Sequence, residues 1–135
     1  MAEQKQTVLL VDDEENVLKS LNRVLRSEGY QILTATSADK GIEVLAANEI
    51  GVVVSDCKMP GMSGEEFLEI IREKYPKTYR VMYSGATYTE PEKLVSSGLV
   101  EKFIDKPIST PQEMIKPIRE GMDIYVSRRD AKGNK

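Results

Sequence analysis

The chain has 135 residues, 40% hydrophobic and 30% charged, with 19 basic side chains against 22 acidic ones and a formal net charge of −3. That composition describes one ordinary globular domain, long enough to bury a proper core, with no electrostatic case for binding nucleic acid. No apolar run approaches membrane-spanning length and no basic-then-apolar leader follows Met1, so the expected partners include no membrane and the expected location is the cytoplasm.

Met1 to Gln6 reads as a polar, frayed start. Thr7-Val8-Leu9-Leu10-Val11 is the first buried strand, stopping at Asp12-Asp13. A helix follows with Val17, Leu18, Leu21, Val24 and Leu25 on one face, acidic residues at its start and Gly29 as its stop. Gln31 to Ala35 is a short strand, and Ser37 caps a helix with Ala38, Ile42, Leu45 and Ala46 inward. Val52-Val53-Val54-Ser55-Asp56 has no alternation, the mark of a strand covered on both faces, and Pro60-Gly61 then turns the chain. Ser63-Gly64-Glu65-Glu66 is a capping box for a helix that turns Phe67, Leu68 and Ile71 inward. Arg80 to Ser84 is the fourth strand, and Thr89 to Glu92 offers a second box before a short helix ending at Gly98. Lys102 to Lys106 is the fifth strand, less apolar and so suited to an edge. Thr110-Pro111-Gln112-Glu113 opens the last helix with a Thr110 cap, a proline at the first position and a box glutamate, with Met114, Ile115, Ile118, Met122 and Tyr125 inward and a kink or loose first turn expected around Glu113 to Pro117. Ser127 to Lys135 reads as a solvated tail.

Strands alternating with helices, without repeats or long linkers, point to an α/β fold: a doubly wound five-stranded parallel sheet with helices on both faces. The domain is then residues 7–126, flanked by a flexible 1–6 and a polar 127–135.

In the flavodoxin-like order 2-1-3-4-5, the strand ends carrying Asp12-Asp13, Asp56, Ser84 and Lys106 are neighbours at the switch point. Crowded carboxylates repel one another, and a hard divalent cation with oxygen ligands, Mg²⁺ or Mn²⁺, relieves them. Lys106 adds a positive charge and Ser84 a hydroxyl. The set suits a phosphoryl group, with Asp56 as nucleophile forming an acyl phosphate. The absence of histidine excludes a Ser-His-Asp triad, a His-ligated metal and a phosphohistidine within this chain. The single Cys57 excludes an internal disulfide and a multi-cysteine zinc site, and it reads as a small packing residue.

Four stretches in order carry a family resemblance: Val11-Asp12-Asp13-Glu14, Ser55 through Gly64, Tyr83-Ser84-Gly85-Ala86, and Phe103-Ile104-Asp105-Lys106-Pro107. From about Thr7 to Tyr125 the chain resembles the receiver domain of bacterial two-component response regulators. The resemblance implies that Asp56 takes a phosphoryl group from the phosphohistidine of a sensor histidine kinase or phosphotransfer protein. It implies that Asp12, Asp13, Asp56 and the backbone carbonyl of Lys58 hold Mg²⁺, that Ser84 is the switch hydroxyl, and that Lys106 contacts the phosphoryl oxygen. Phe103 would be the aromatic that turns inward behind Ser84, and the Lys106-Pro107 peptide would be cis. Lys58 and Ala86 border the path of attacking water and are candidates for setting the acyl-phosphate lifetime. The readout would be the face of the fourth helix, fifth strand and fifth helix, engaging an effector or output domain, with a phosphorylation-linked homodimer as a further expectation. The chain would be a switch and no enzyme with a separate substrate, and its length leaves no room for an output domain.

Blander readings compete. Asp12-Asp13 could be a helix start, Ser84 a strand-end hydroxyl and Phe103 simply core. A haloacid-dehalogenase-like phosphatase would need a second aspartate where Lys58 stands. A flavodoxin-like mononucleotide site would put a phosphate against Asp12-Asp13-Glu14-Glu15, which would repel it. A receiver that no longer takes phosphate is disfavoured by the full set of site residues.

Overall fold

In the computed structural model of the protein, residues 6–85 and 91–131 are described. Five parallel strands, β1 (Thr7–Val11), β2 (Gln31–Ala35), β3 (Val52–Ser55), β4 (Tyr79–Ser84) and β5 (Lys102–Asp105), form one sheet in the order β2-β1-β3-β4-β5. The helices are α1 (Glu15–Leu25), α2 (Ala38–Ala47), α3 (Gly64–Lys74), α4 (Pro91–Ser96) and α5 (Gln112–Ala131). The expected doubly wound sheet is therefore observed. The Lys106-Pro107 peptide is cis. Among the described residues no helix is long and apolar enough to cross a membrane.

The burial of each strand follows its place in the sheet. β1, β3 and β4 are buried at every residue, whereas β2 and β5 expose residues at the two edges. The period of two persists inside the buried strands. Val8 and Leu10 of β1 join Leu18, Leu21, Leu25, Met114, Ile118 and Met122 in a core between the sheet and α1 with α5. Leu9 and Val11 face the other way, onto Phe67, Leu68, Ile71 and Leu94.

Local chemistry explains most helix ends. Ser63 and Glu66 form the capping box in both directions, the Ser63 amide donating to Glu66 Oε1 at 3.1 Å and the Glu66 amide to Ser63 Oγ at 3.2 Å. Ser37 accepts the Lys40 amide at 3.2 Å. α1 runs into a 3-10 turn (Arg26–Glu28), and Gly29 stops it at φ 91°, a left-handed conformation that glycine adopts without penalty. The Thr89–Glu92 box expected at α4 falls on Thr89, outside the described residues.

Four expectations need correction. Ala46 is exposed, and Gly41 takes the inward position in α2 because the Phe67 ring fills the space where a side chain would stand. The Glu113 carboxylate accepts the Ser109 amide at 3.1 Å, one residue before the Thr110 cap assigned to it. The helix runs unbroken from Gln112 through Pro117, so the first turn is regular and not loose; Pro117 is its sixth residue, with a buried ring and no amide to offer the Glu113 carbonyl. Finally, α5 extends to Ala131, so the stretch from Ser127 to Ala131 is helix and not solvated tail. Arg128 explains the extension: its guanidinium is ion-paired with Glu101, at 3.2 Å from Oε2 through Nη1 and closer to Oε1 through Nη2.

Gly121 lies where α5 crosses β4, and a Cβ there would lie within 2.8 Å of Tyr79 Cγ and overlap the ring. Helix propensity alone would favour Gly121→Ala by about 1 kcal/mol. Overpacking of a ring that has nowhere to retreat costs about 1–3 kcal/mol. We expect the second effect to win, leaving the variant less stable in urea denaturation by up to about 2 kcal/mol; a stabilised variant would show that Tyr79 repacks freely.

Candidate functional site

The site is built at the carboxyl ends of β1, β3, β4 and β5. Asp12 directly follows β1 and is 2% exposed. Its amide donates to Ala35 O at 3.1 Å, and its Oδ1 accepts the Glu14 amide at 2.9 Å, which turns the chain into α1. Asp13 is exposed beside it. Asp56 follows β3, its amide donating to Val11 O at 3.0 Å, so β1 and β3 set the two aspartates side by side. One carboxylate oxygen each from Asp12, Asp13 and Asp56 lies within 4.8 Å of the others.

Lys106 reaches into this cluster from the end of β5. Its Nζ donates to Asp12 Oδ2 at 2.9 Å and stands 3.4 Å from Asp56 Oδ1. Its own amide donates to Ser84 O at 2.8 Å, which ties it to the end of β4. Ser84 is buried in the site. Phe103 is half-buried against the core on the α2–α3–α4 side. Lys58 is exposed two residues after Asp56. Ala86 lies outside the described residues. Asp12, Asp13, Asp56 and Lys106 therefore converge, and Ser84 ends β4, the strand between those of Asp56 and Lys106.

The electrostatics follow from crowding. Burial raises the Asp56 pKa above its usual value and the Asp12 charge raises it further, opposed by Lys106 and by the Cys57 amide, which donates to Asp56 Oδ1 at 2.8 Å. Burial pulls the Lys106 pKa down, but the hydrogen bond and charge of Asp12, with those of Asp56, outweigh it and the net shift is upward. Burial pushes the Cys57 thiol up, helped by Glu65 and Asp56, so Cys57 stays a protonated packing residue.

Several supports were not legible as such. Gly64 serves the site as well as the cap: a Cβ there would collide with the carbonyl oxygen of Asp56, and its amide donates to Cys57 O at 2.7 Å. Only glycine lets the start of α3 approach the Asp56 backbone this closely. Ser55 Oγ donates to that same Asp56 carbonyl at 2.8 Å. Tyr83 lies beneath Lys106, its ring centroid 5.5 Å from Nζ. The only signal in the sequence was a large aromatic beside Ser84.

The donor set fits a hard divalent cation. The cluster offers only oxygens, its net charge stays negative after Lys106 is counted, and Asp13 is open to solvent for waters to complete a shell.

The model of the response regulator receiver domain family matches residues 8–119. The chain is 34% identical over 126 residues to the hydrogenase transcriptional regulatory protein HoxA of Cupriavidus necator, covering 91% of this chain and 25% of that one. Among solved structures, an uncharacterised protein from Neptuniibacter caesariensis superposes with a TM-score of 0.89 at 35% identity, covering 95% of this chain and 96% of that one. The signal receiver domain of an HD domain-containing protein from Pseudomonas fluorescens superposes with a TM-score of 0.87 at 27% identity, covering 96% of each. The chain spans a quarter of the length of the curated relative.

The shifted Asp56 has a consequence for stability. A carboxyl whose folded pKa lies above the unfolded 3.8 contributes stability that is complete below 3.8 and lost as pH rises through the folded value. The raised Lys106 contributes stability below 10.5 and loses it only above, so it is constant across the acidic range. In chelator at pH 7, Asp56→Asn should therefore stabilise the chain by on the order of 1 kcal/mol. The gain should shrink as pH falls toward 4. Urea denaturation at stepped pH checks it, and a gain that grows on acidification would contradict it.

Proposed function

The chain belongs to the response regulator receiver domain family, and from that membership we propose that it is a phosphorylation-activated switch whose acceptor is Asp56. The observation that carries the reading is the convergence of three carboxylates under one lysine at the switch point of the sheet. Asp12, Asp13 and Asp56, joined by the Lys58 carbonyl, would hold Mg²⁺ (or Mn²⁺), which neutralises the carboxylates and polarises the phosphoryl oxygens.

A free oxygen of the Asp56 carboxylate attacks the phosphorus of a phosphohistidine on a sensor kinase or phosphotransfer protein. The new O–P bond forms as the P–N bond breaks, and the bonding pair returns to the imidazole. Lys106 is held within reach of both aspartates and turns from Asp56 to a phosphoryl oxygen, a charge-assisted contact formed only once the group arrives. Ser84, buried at the end of β4, brings its hydroxyl to another oxygen, and Phe103 follows into the space behind it. The shift biases two states already available to the α4–β5–α5 face, which takes on the order of 5 kcal/mol of differential stabilisation for a near-complete switch.

The output is an effector or output domain, linked in the same chain or separate, and phosphorylation-linked pairing of two copies would use the same face. Relatives named as transcriptional regulators and as a sensor kinase support both a kinase partner and an output. The cytoplasm is the matching compartment, with no direct contact to nucleic acid or membrane.

Incubation with acetyl phosphate and Mg²⁺, read by intact mass, should add one phosphoryl group that is absent in Asp56→Asn and in chelator. An adduct that survives Asp56→Asn would overturn the assignment. Exposed Lys58 stands two residues after the acceptor, and Lys58→Asn should change the decay rate of the acyl phosphate severalfold, followed as loss of the adduct after the donor is removed. An unchanged decay would remove Lys58 from the lifetime-setting positions.

A further inference from the structure

Tyr83 is the one large aromatic residue at the carboxyl end of β4, and it points to the α1–α5 side of the sheet. An aliphatic side chain would fill that space equally well. The phenol adds two contacts that packing does not require. Its hydroxyl accepts the Ile108 amide at 3.1 Å, and its ring lies 5.5 Å from the Lys106 ammonium. Ile108 is two residues beyond Lys106, so one side chain grips the lysine at its charged end and grips the loop that carries it.

The need for such a grip is visible beside it. A groove of about 520 Å³ opens between α1 and the β5–α5 loop, with Val17, Leu21, Tyr83, Lys106 and Ile108 in its wall. Lysine has four rotatable side-chain bonds, and holding it in one rotamer against an open groove has a substantial entropic penalty. Asp12 and Asp56 attract the ammonium but do not restrain its stem. The ring supplies a surface under the ammonium, and the hydroxyl fixes the height of the loop.

We infer that Tyr83 is a positioning residue for Lys106, aiming its ammonium at the Asp12–Asp56 pair and thereby setting how fast Asp56 takes up a phosphoryl group. The inference rests on the reading of Asp56 as acceptor. Tyr83→Phe removes only the hydroxyl, Tyr83→Leu removes the ring as well, and Val24→Ala loosens the same groove away from the lysine.

The test measures three quantities: the rate of phosphorylation by acetyl phosphate, Mg²⁺ affinity, and the NMR signal of the Lys106 ammonium. Tyr83→Phe should slow phosphorylation by roughly two- to tenfold, the range set by one hydrogen bond. Tyr83→Leu should slow it further. Both should shift or broaden the Lys106 signal with Mg²⁺ affinity unchanged, while Val24→Ala lowers stability and leaves the rate and the signal as they were. A Tyr83→Phe variant with wild-type rate and an unmoved Lys106 signal would reduce Tyr83 to a core residue, even if Tyr83→Leu fails to fold. A slowing that Val24→Ala reproduces would do the same. If the wild-type chain takes no phosphoryl group, the acceptor reading fails; the Lys106 signal still decides whether Tyr83 holds the lysine, since that signal requires no transfer.

Discussion

The site depends on one cation between two anions, one buried and one partly so. Asp12 is almost without solvent and Asp56 is close beside it, so burial and the Asp12 charge both disfavour the ionised Asp56 carboxylate. Lys106 relieves this only because β5 delivers it from the far side of β4, a sequence separation of 94 residues from Asp12. The parallel arrangement of the strands is thus what assembles the site: it puts four carboxyl ends on one rim, within reach of one another's side chains. The compensation is also incomplete. With Asp13 included, three carboxylates face one ammonium, and the residual negative charge is what would suit the cluster to a hard cation.

That incompleteness suits a switch. A site fully neutralised by its own side chains would gain nothing from a phosphoryl group, whereas this one holds Lys106 between two partners and, with Asp56 as the proposed acceptor, would offer it a third. Ser84 and Lys106 are connected through the backbone, the Lys106 amide donating to Ser84 O. Movement of one is therefore felt by the strand end that carries the other. Charge redistribution at the rim has a direct path into β4 and β5, and β5 lies at the sheet edge, where fewer neighbours resist it.

The sequence made some of this legible and hid the rest for physical reasons. Strand identity was readable because β1 and β3 are dense in β-branched and aliphatic residues, and the capping box at Ser63 was readable because its chemistry is local. The four site stretches were readable because each sits where a strand stops. Distant partners were not. Nothing in the polarity of Ser127 to Ala131 announces helix, since the apolar period ends at Tyr125; the helix continues because Arg128 finds Glu101 on β5's approach. Nothing in the sequence marks Gly41 or Gly64 as obligatory, yet each is required by what stands opposite, the Phe67 ring and the Asp56 carbonyl. Arg80 read as an ordinary strand residue.

Arg80 is in fact the counterpart of Lys106 at the opposite end of β4. It is 6% exposed, and its guanidinium donates to Leu99 O at 2.9 Å and Gly98 O at 3.0 Å, with Glu101 at 3.7 Å. Burial lowers its pKa and the Glu101 charge opposes that, so the group remains a cation whose donors are largely satisfied by carbonyls. Those carbonyls belong to the turn between α4 and β5, and Glu101 in turn holds Arg128 on α5. One buried cation therefore fixes the base of the α4–β5–α5 face while another, at the rim, is free to change partners. On the proposed reading, a face anchored at one end and adjustable at the other would pivot instead of dissolving, so that a single phosphoryl group could alter a surface without loosening the fold.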